Sequence, residues 1–138
     1  MKFPEWLSVF GDTAYRGDCP QESAEQVTFF ARLRREYPDS LGLIALHPKN
    51  EGARSGKAFN ALSMDKALGM APGASDIIIP GHPAFVCEMK RRDHTKSSWQ
   101  PKQIDYLLAS ERQGAFVCVA LGVDGAWEAL QKWLDLQS

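Results

Sequence analysis

Two short apolar runs carrying charge at Asp76, Glu88 and Lys90 constrain this chain more than any other feature. Ile77-Ile78-Ile79 follows Asp76; the turn Pro80-Gly81-His82-Pro83 comes next, and the chain returns as Ala84-Phe85-Val86-Cys87-Glu88-Met89-Lys90. Proline and glycine in the turn reverse the chain, and the β-branched runs on either side read as an antiparallel hairpin. Strand residues two apart share a face, so Glu88 and Lys90 point together, with Met89 opposite. Pairing then brings Asp76 and Glu88 to one rim of a sheet. Two carboxylates held close repel each other unless a proton or a cation intervenes. Oxygen ligands suit a hard cation such as Mg²⁺ or Mn²⁺, which can polarise a phosphoryl oxygen. A lysine beside them can orient an attacking water or neutralise charge building on a phosphate. Together these residue types point to hydrolysis of a phosphodiester. A lone Glu-x-Lys matches by chance; an Asp opening an apolar strand whose hairpin partner ends in Glu-x-Lys is far more specific.

The rest of the chain supplies the frame. Residues 1–19 are aromatic but aperiodic and read as a packed arm. From Pro20 to Tyr37 a helix is expected, with Gln26, Phe29, Phe30, Leu33 and Tyr37 on one face. Leu43 to Leu46 reads as a short strand, residues 50–56 as a polar, glycine-rich loop, and Ala58 to Leu68 as a second helix. Ser97 or Ser98 is expected to cap a third helix from Trp99 to Arg112. A buried strand from Ala115 to Leu121 and an amphipathic helix from Ala126 to Leu136 close the chain. This order predicts an α/β domain, a central mixed β-sheet flanked by helices. The 138 residues fit one domain, divided as an arm (1–19), a core (20–122) and a C-terminal helix (123–138).

Charge and cysteine usage exclude some classes. A net charge of −1 does not by itself suggest nucleic acid, but Lys90, Arg91, Arg92, Lys96 and Lys102 face the single acid Asp93 between positions 90 and 102. A second basic group, Lys49, Arg54 and Lys57, brackets Glu51. Local positive surface on a neutral body is therefore expected. Cys19, Cys87 and Cys118 form no Cys-x-x-Cys pair, and with His47, His82 and His94 they lack the paired spacing of structural zinc. No apolar run approaches the ~20 residues needed to span a bilayer. A cytoplasmic protein is expected, in the host cytoplasm if the chain is phage-encoded.

Several blocks, in order, resemble the virus-type replication-repair nuclease (VRR-NUC) domains of the PD-(D/E)XK superfamily. Glu22-Ser-Ala-Glu-Gln26 resembles that family's opening helix motif. His47-Pro-Lys-Asn50-Glu-Gly52-x-Arg54 is similar to its strand-to-loop segment. Gly69-Met-Ala-Pro-Gly73-Ala-Ser-Asp76 is similar to the block delivering the metal-binding Asp, with Ser75 standing where a proline is usual. Phe85-Val-Cys-Glu88-Met-Lys90 resembles the Glu-x-Lys strand, and Trp99-Gln-Pro-Lys-Gln103-Ile-Asp-Tyr-Leu107 the following helix. The resemblance spans roughly residues 20–122.

It implies a PD-(D/E)XK, restriction-endonuclease-like core in which Asp76 and Glu88 bind Mg²⁺ or Mn²⁺ together with the Met89 carbonyl. Lys90 would be catalytic, and Gln103 would face the site. The helix carboxylate lies between Glu22 and Glu25; position 22 shares a stripe with Gln26, Phe29 and Leu33, which favours Glu22 as a catalytic group and a further metal ligand. Asn50, Arg54, Arg91, Arg92 and Lys96 are the candidate DNA contacts. Trp99 and Tyr106 read as packing residues rather than base-stacking platforms. The function implied is a divalent-metal-dependent DNA endonuclease acting on branched or nicked structures such as Holliday junctions. Symmetric cutting by so small a domain implies a homodimer, with Trp127 and Trp133 or the aromatic arm as interface candidates. The alternative is a catalytically silent nuclease-fold module that binds DNA.

Overall fold

Valine, isoleucine and phenylalanine crowd the segments that become strands, because branched side chains pack well on a pleated surface. In the computed structural model, which describes residues 1–48 and 58–137, those segments are β1 (Ser8–Phe10), β2 (Ile77–Ile79), β3 (Phe85–Lys90) and β4 (Phe116–Leu121). They form one mixed sheet in the order β1-β4-β3-β2. β1 and β3 run parallel to β4, whereas β2 pairs antiparallel with β3, Ile77 opposite Cys87 and Ile79 opposite Phe85. The helices are α1 (Glu22–Glu36), α2 (Leu41–Ile44), α3 (Ala58–Ala67), α4 (Gln103–Arg112) and α5 (Gly122–Gln137).

Each face of the sheet has its own core. Phe85, Cys87, Met89, Cys118 and Ala120 pack with Phe29, Phe30 and Leu33 of α1 and with Ala126, Ala129, Leu130 and Trp133 of α5. On the opposite face Val86, Val117 and Val119 meet Leu107 of α4 and Leu7. Central strands covered on both faces lose the polar-apolar alternation of a half-exposed strand. All of β3 is buried, Glu88 and Lys90 included. The expected hairpin, the flanking helices and the α/β class are therefore as the sequence implies.

Four expectations are corrected. Leu43 to Leu46 does not form a strand: Leu41–Ile44 is one helical turn, and only Leu46 bridges to Ile78. A short apolar run carries too little periodicity to separate the two states. Here the chain folds back on the end of α1, with the Gly42 N–H bonded to the Tyr37 carbonyl. A Cβ at position 42 would stand 2.6 Å from that oxygen and 2.7 Å from the Arg34 Cα, so only glycine fits. The third helix begins at Gln103 rather than Trp99, after Lys102 adopts a left-handed φ of 73°. Ser97 and Ser98 are engaged elsewhere and cap nothing there. The arm is not irregular throughout, since Ser8–Phe10 forms the edge strand β1; three residues beside a tight glycine turn are too short to stand out by pattern.

The last helix starts earlier than expected, directly after β4. Gly122 takes φ +79°, and a Cβ there would meet a Glu25 carboxylate oxygen at 2.6 Å. Glu25, buried on α1, accepts the Val123 N–H and so caps α5 from another helix. A carboxylate at a helix N-terminus satisfies a free donor and complements the dipole. Glu25→Ala should therefore lower unfolding stability by about 1–3 kcal/mol, read from urea denaturation. An unchanged midpoint would mean that water replaces the cap.

Candidate active site

β3 carries two polar side chains into a buried layer because its alternation leaves them no alternative. Val86, Glu88 and Lys90 share the face covered by α4, and the side chains of Glu88 and Lys90 are each only 1% exposed. Charged groups survive such burial when partners surround them. Gln103, at the start of α4, is the chief partner. Its Nε2 donates to Glu88 Oε1 at 3.0 Å, while its Oε1 accepts from Lys90 Nζ at 2.9 Å and from the Gln100 N–H at 2.8 Å. The amide orientation follows from this pairing, because the ammonium can only donate and the carboxylate can only accept.

Lys90 Nζ also donates to the Ser98 carbonyl at 2.8 Å and lies 5.3 Å from the centre of the Trp99 ring. Two of its three hydrogens are thus committed. Glu88 Oε1 stands 3.9 Å from Nζ and Glu22 Oε1 4.0 Å, both beyond direct hydrogen-bond reach. The third hydrogen is left for a water, which can bridge to either carboxylate from off the direct line.

Asp76 enters from the adjacent strand. Its Oδ2 accepts the Met89 N–H at 2.9 Å, just beyond the last β2–β3 pair. Within a strand the N–H and C=O of one residue leave by the same edge, so the Met89 carbonyl leaves the strand on the Asp76 side. His47 Nδ1 donates to the Asp76 carbonyl at 2.8 Å and ties this position to the segment after α2.

Glu88 Oε2 is buried with no hydrogen-bond partner among the described residues. Burial raises the pKa of Glu88 well above its ordinary value, the neighbouring Asp76 charge raises it further, and Lys90 offsets only part of this. A carboxylate oxygen without a donor, beside a second carboxylate and an outward-facing carbonyl, fits a small hard cation. Asp76, Glu88 and the Met89 carbonyl are the groups that would hold it. No group of three acidic, histidine or cysteine side chains is gathered around one point among the described residues. Glu22 is accordingly not gathered with Asp76 and Glu88 into one ligand set; its nearest charged neighbour at the site is Lys90, 4.0 Å away.

Glu22 and Glu25 have exchanged the surroundings suggested by their helical stripe. Glu25 is the buried one and caps α5, whereas the Glu22 side chain is 38% exposed and faces Lys90. The stripe argument placed Glu22 inward; its position at the first turn of α1, above the end of β3, brings it to the site instead. Sequence reading passed over Ser97, whose hydroxyl donates to Glu22 Oε2 at 2.9 Å, and the Ser98 carbonyl. The runs of hydroxyl residues after Lys90 carried no signal of either contact.

The basic loop after Lys90 holds down the chain's own N-terminal region. Arg91 donates to the Cys19 carbonyl at 2.6 Å and to that of Pro20 at 3.2 Å; Lys96 donates to the Gly17 carbonyl at 2.8 Å; Arg92 lies 4.0 Å from the centre of the Tyr15 ring. As candidate DNA contacts these three residues therefore have intramolecular partners that the charge pattern did not anticipate. Asn50 and Arg54 lie outside the described residues. Trp133 is buried and donates to the Pro83 carbonyl, and Trp127 packs under Arg32, so both belong to the core of this chain. Trp133 therefore presents almost no surface to a partner, while Trp127 is only partly buried.

Asp93 organises the same loop. Its carboxylate accepts from the Thr95 hydroxyl at 2.6 Å, the Gly17 N–H at 3.0 Å and the Thr95 N–H at 3.0 Å. The Thr95 hydroxyl, foremost, and the Gly17 amide hold its pKa at about 2. Since an unfolded Asp titrates near ~3.9, the stability contributed by Asp93 is complete above about pH 4 and is lost as pH falls through about 2. Thermal unfolding of wild type and Asp93→Asn should differ most near pH 5 and converge toward pH 2. A constant difference across that interval would contradict this assignment.

No family model matches the chain, and no curated protein matches it. A solved structure described as "VRR_NUC domain protein" superposes with a TM-score of 0.69 over 90% of this chain and 94% of that one, at 19% identity. The chain therefore shares the fold of that VRR_NUC domain protein, a mixed sheet flanked by helices, and the likeness drawn from the short motifs holds at the level of the fold.

Proposed function

We propose that this protein is a divalent-metal-dependent endonuclease that hydrolyses DNA phosphodiester bonds. The observation that carries the reading is the unpartnered oxygen of Glu88, buried beside Asp76 on a strand that also presents Lys90. An ion of the Mg²⁺ or Mn²⁺ type, bound by Asp76, Glu88 and the Met89 carbonyl, would supply charge to a phosphoryl oxygen.

The side chains have separable tasks. Gln103 fixes Glu88 and Lys90 in one geometry through the two ends of its amide. Lys90, with its third hydrogen free, orients a water for attack on phosphorus or meets a non-bridging phosphate oxygen. In the hydrolysis a new phosphorus–oxygen bond forms as the ester bond opposite it breaks, and the departing oxygen takes up a proton. Glu22, partly exposed, stands 4.0 Å from the Lys90 ammonium and can share a water with it.

The substrate we favour is branched or nicked DNA read through its phosphates. No base-reading motif is present in the sequence, so affinity should fall steeply with salt. A homodimer presenting two sites would suit symmetric cutting of a junction. The expected place of action is the cytoplasm, that of the host for a phage-encoded chain; no helix among the described residues is long and apolar enough to cross a membrane.

Cleavage of four-way, flap and linear duplex DNA in Mn²⁺ tests the reading. Wild type should cut at least one substrate, chelation should stop it, and Lys90→Ala or Glu88→Ala should reduce kcat by at least ~10²-fold. Binding of DNA without any cleavage would favour the silent module instead. Cutting that survives both substitutions would place the active centre elsewhere.

A further inference from the structure

The end of β3 is tied to the start of α1 through a single hydroxyl. The main-chain N–H of Arg91 donates to Ser97 Oγ at 2.9 Å, and Ser97 Oγ donates to Glu22 Oε2 at 2.9 Å. The direction of both bonds is dictated by chemistry. An amide N–H can only donate, so the serine accepts there, and its single hydrogen is left for the carboxylate. Glu22 Oε1, the other oxygen, is thereby turned toward Lys90 at 4.0 Å.

The backbone under Glu22 is held as well. The Arg91 guanidinium grips the carbonyls of Cys19 and Pro20, immediately ahead of the helix. One residue therefore anchors Glu22 twice, through its side chain on the preceding segment and through its amide on Ser97. A glutamate side chain 38% exposed would otherwise sample several rotamers, at an entropic cost to any single geometry.

We infer that Ser97 is the positioning residue for Glu22: its hydroxyl, fixed by the Arg91 amide, holds that carboxylate facing Lys90. Two carboxylates, Glu88 and Glu22, then stand within 4.0 Å of the Lys90 ammonium, and a water bonded to its third hydrogen can be oriented by both. This inference rests on the nuclease reading for its catalytic consequence, but the Ser97–Glu22 pairing is independent of it.

Two measurements separate those parts. In metal-free protein, a double-mutant cycle of Ser97→Ala and Glu22→Ala, read from urea unfolding, should be non-additive, the double variant losing no more than the worse single variant. Additive losses would overturn the pairing. In Mn²⁺, Ser97→Ala should lower kcat about ten- to a hundred-fold with KM for DNA unchanged, Ser97→Thr should restore most of it, and Ser97→Ala should cost nothing further in the Glu22→Ala background. A wild-type kcat in Ser97→Ala, or the full loss persisting without Glu22, would overturn the positioning role. Should wild type cut no DNA at all, the nuclease reading falls while the unfolding cycle still decides the pairing.

Discussion

A carboxylate and an ammonium buried side by side on one strand face are the constraint on which this structure turns. Glu88 and Lys90 are each 1% exposed, and neither could be taken from water without compensation. Gln103 supplies it by bonding both, which obliges α4 to begin where it does and leaves the chain from Trp99 to Lys102 non-helical. Among the described residues, compensation is incomplete by one oxygen. Buried polar groups are almost always paired, so an unpartnered Glu88 Oε2 beside Asp76 is the kind of defect that function, rather than stability, explains.

The remainder of the fold holds this arrangement in place. β2 brings Asp76 to the edge of β3 beyond their last pair, and His47 secures the Asp76 carbonyl from outside the sheet. The loop after Lys90 binds residues 13–22 from several directions, through Arg91, Asp93, His94, Lys96 and Ser97. Positive charge that reads in the sequence as a nucleic-acid footprint thus serves partly to fix the chain's own carbonyls and, through them, the start of α1. The cysteines belong to the same frame. Cys87 and Cys118 face each other across the parallel strands; their mutual contact and then burial push the Cys87 thiol up, so it packs as a small hydrophobe.

What could be read from the residues alone follows the range of the forces involved. The hairpin, with its punctuating Pro-Gly turn, and the i, i+2 relation of Glu88 and Lys90 are local and were legible. Gln103 was reached through likeness of motif, and the fold agrees with that likeness. Contacts between distant segments were not legible: Glu25 capping Val123, Ser97 joining Glu22, and the Arg91 side chain on Cys19 have no mark in composition or periodicity. The one-turn helix at Leu41–Ile44 was misread as a strand for the same reason, since its backbone is decided by the tail of α1. The helical stripe placed Glu22 inward, and the structure reverses that burial: Glu25 is the buried glutamate and Glu22 the one facing Lys90, because a residue in the first turn reports on what lies beyond the helix as much as beneath it.

The central claim is that Asp76 and Glu88 hold a divalent ion. Titrating Mn²⁺ into ¹⁵N-labelled protein tests it directly, because the ion broadens the signals of nearby nuclei. The Met89 amide and the Gln103 side-chain amide should broaden first and at the same Mn²⁺ concentration. Their survival, while residues around exposed acids such as Asp124 and Glu128 broaden instead, would contradict the account.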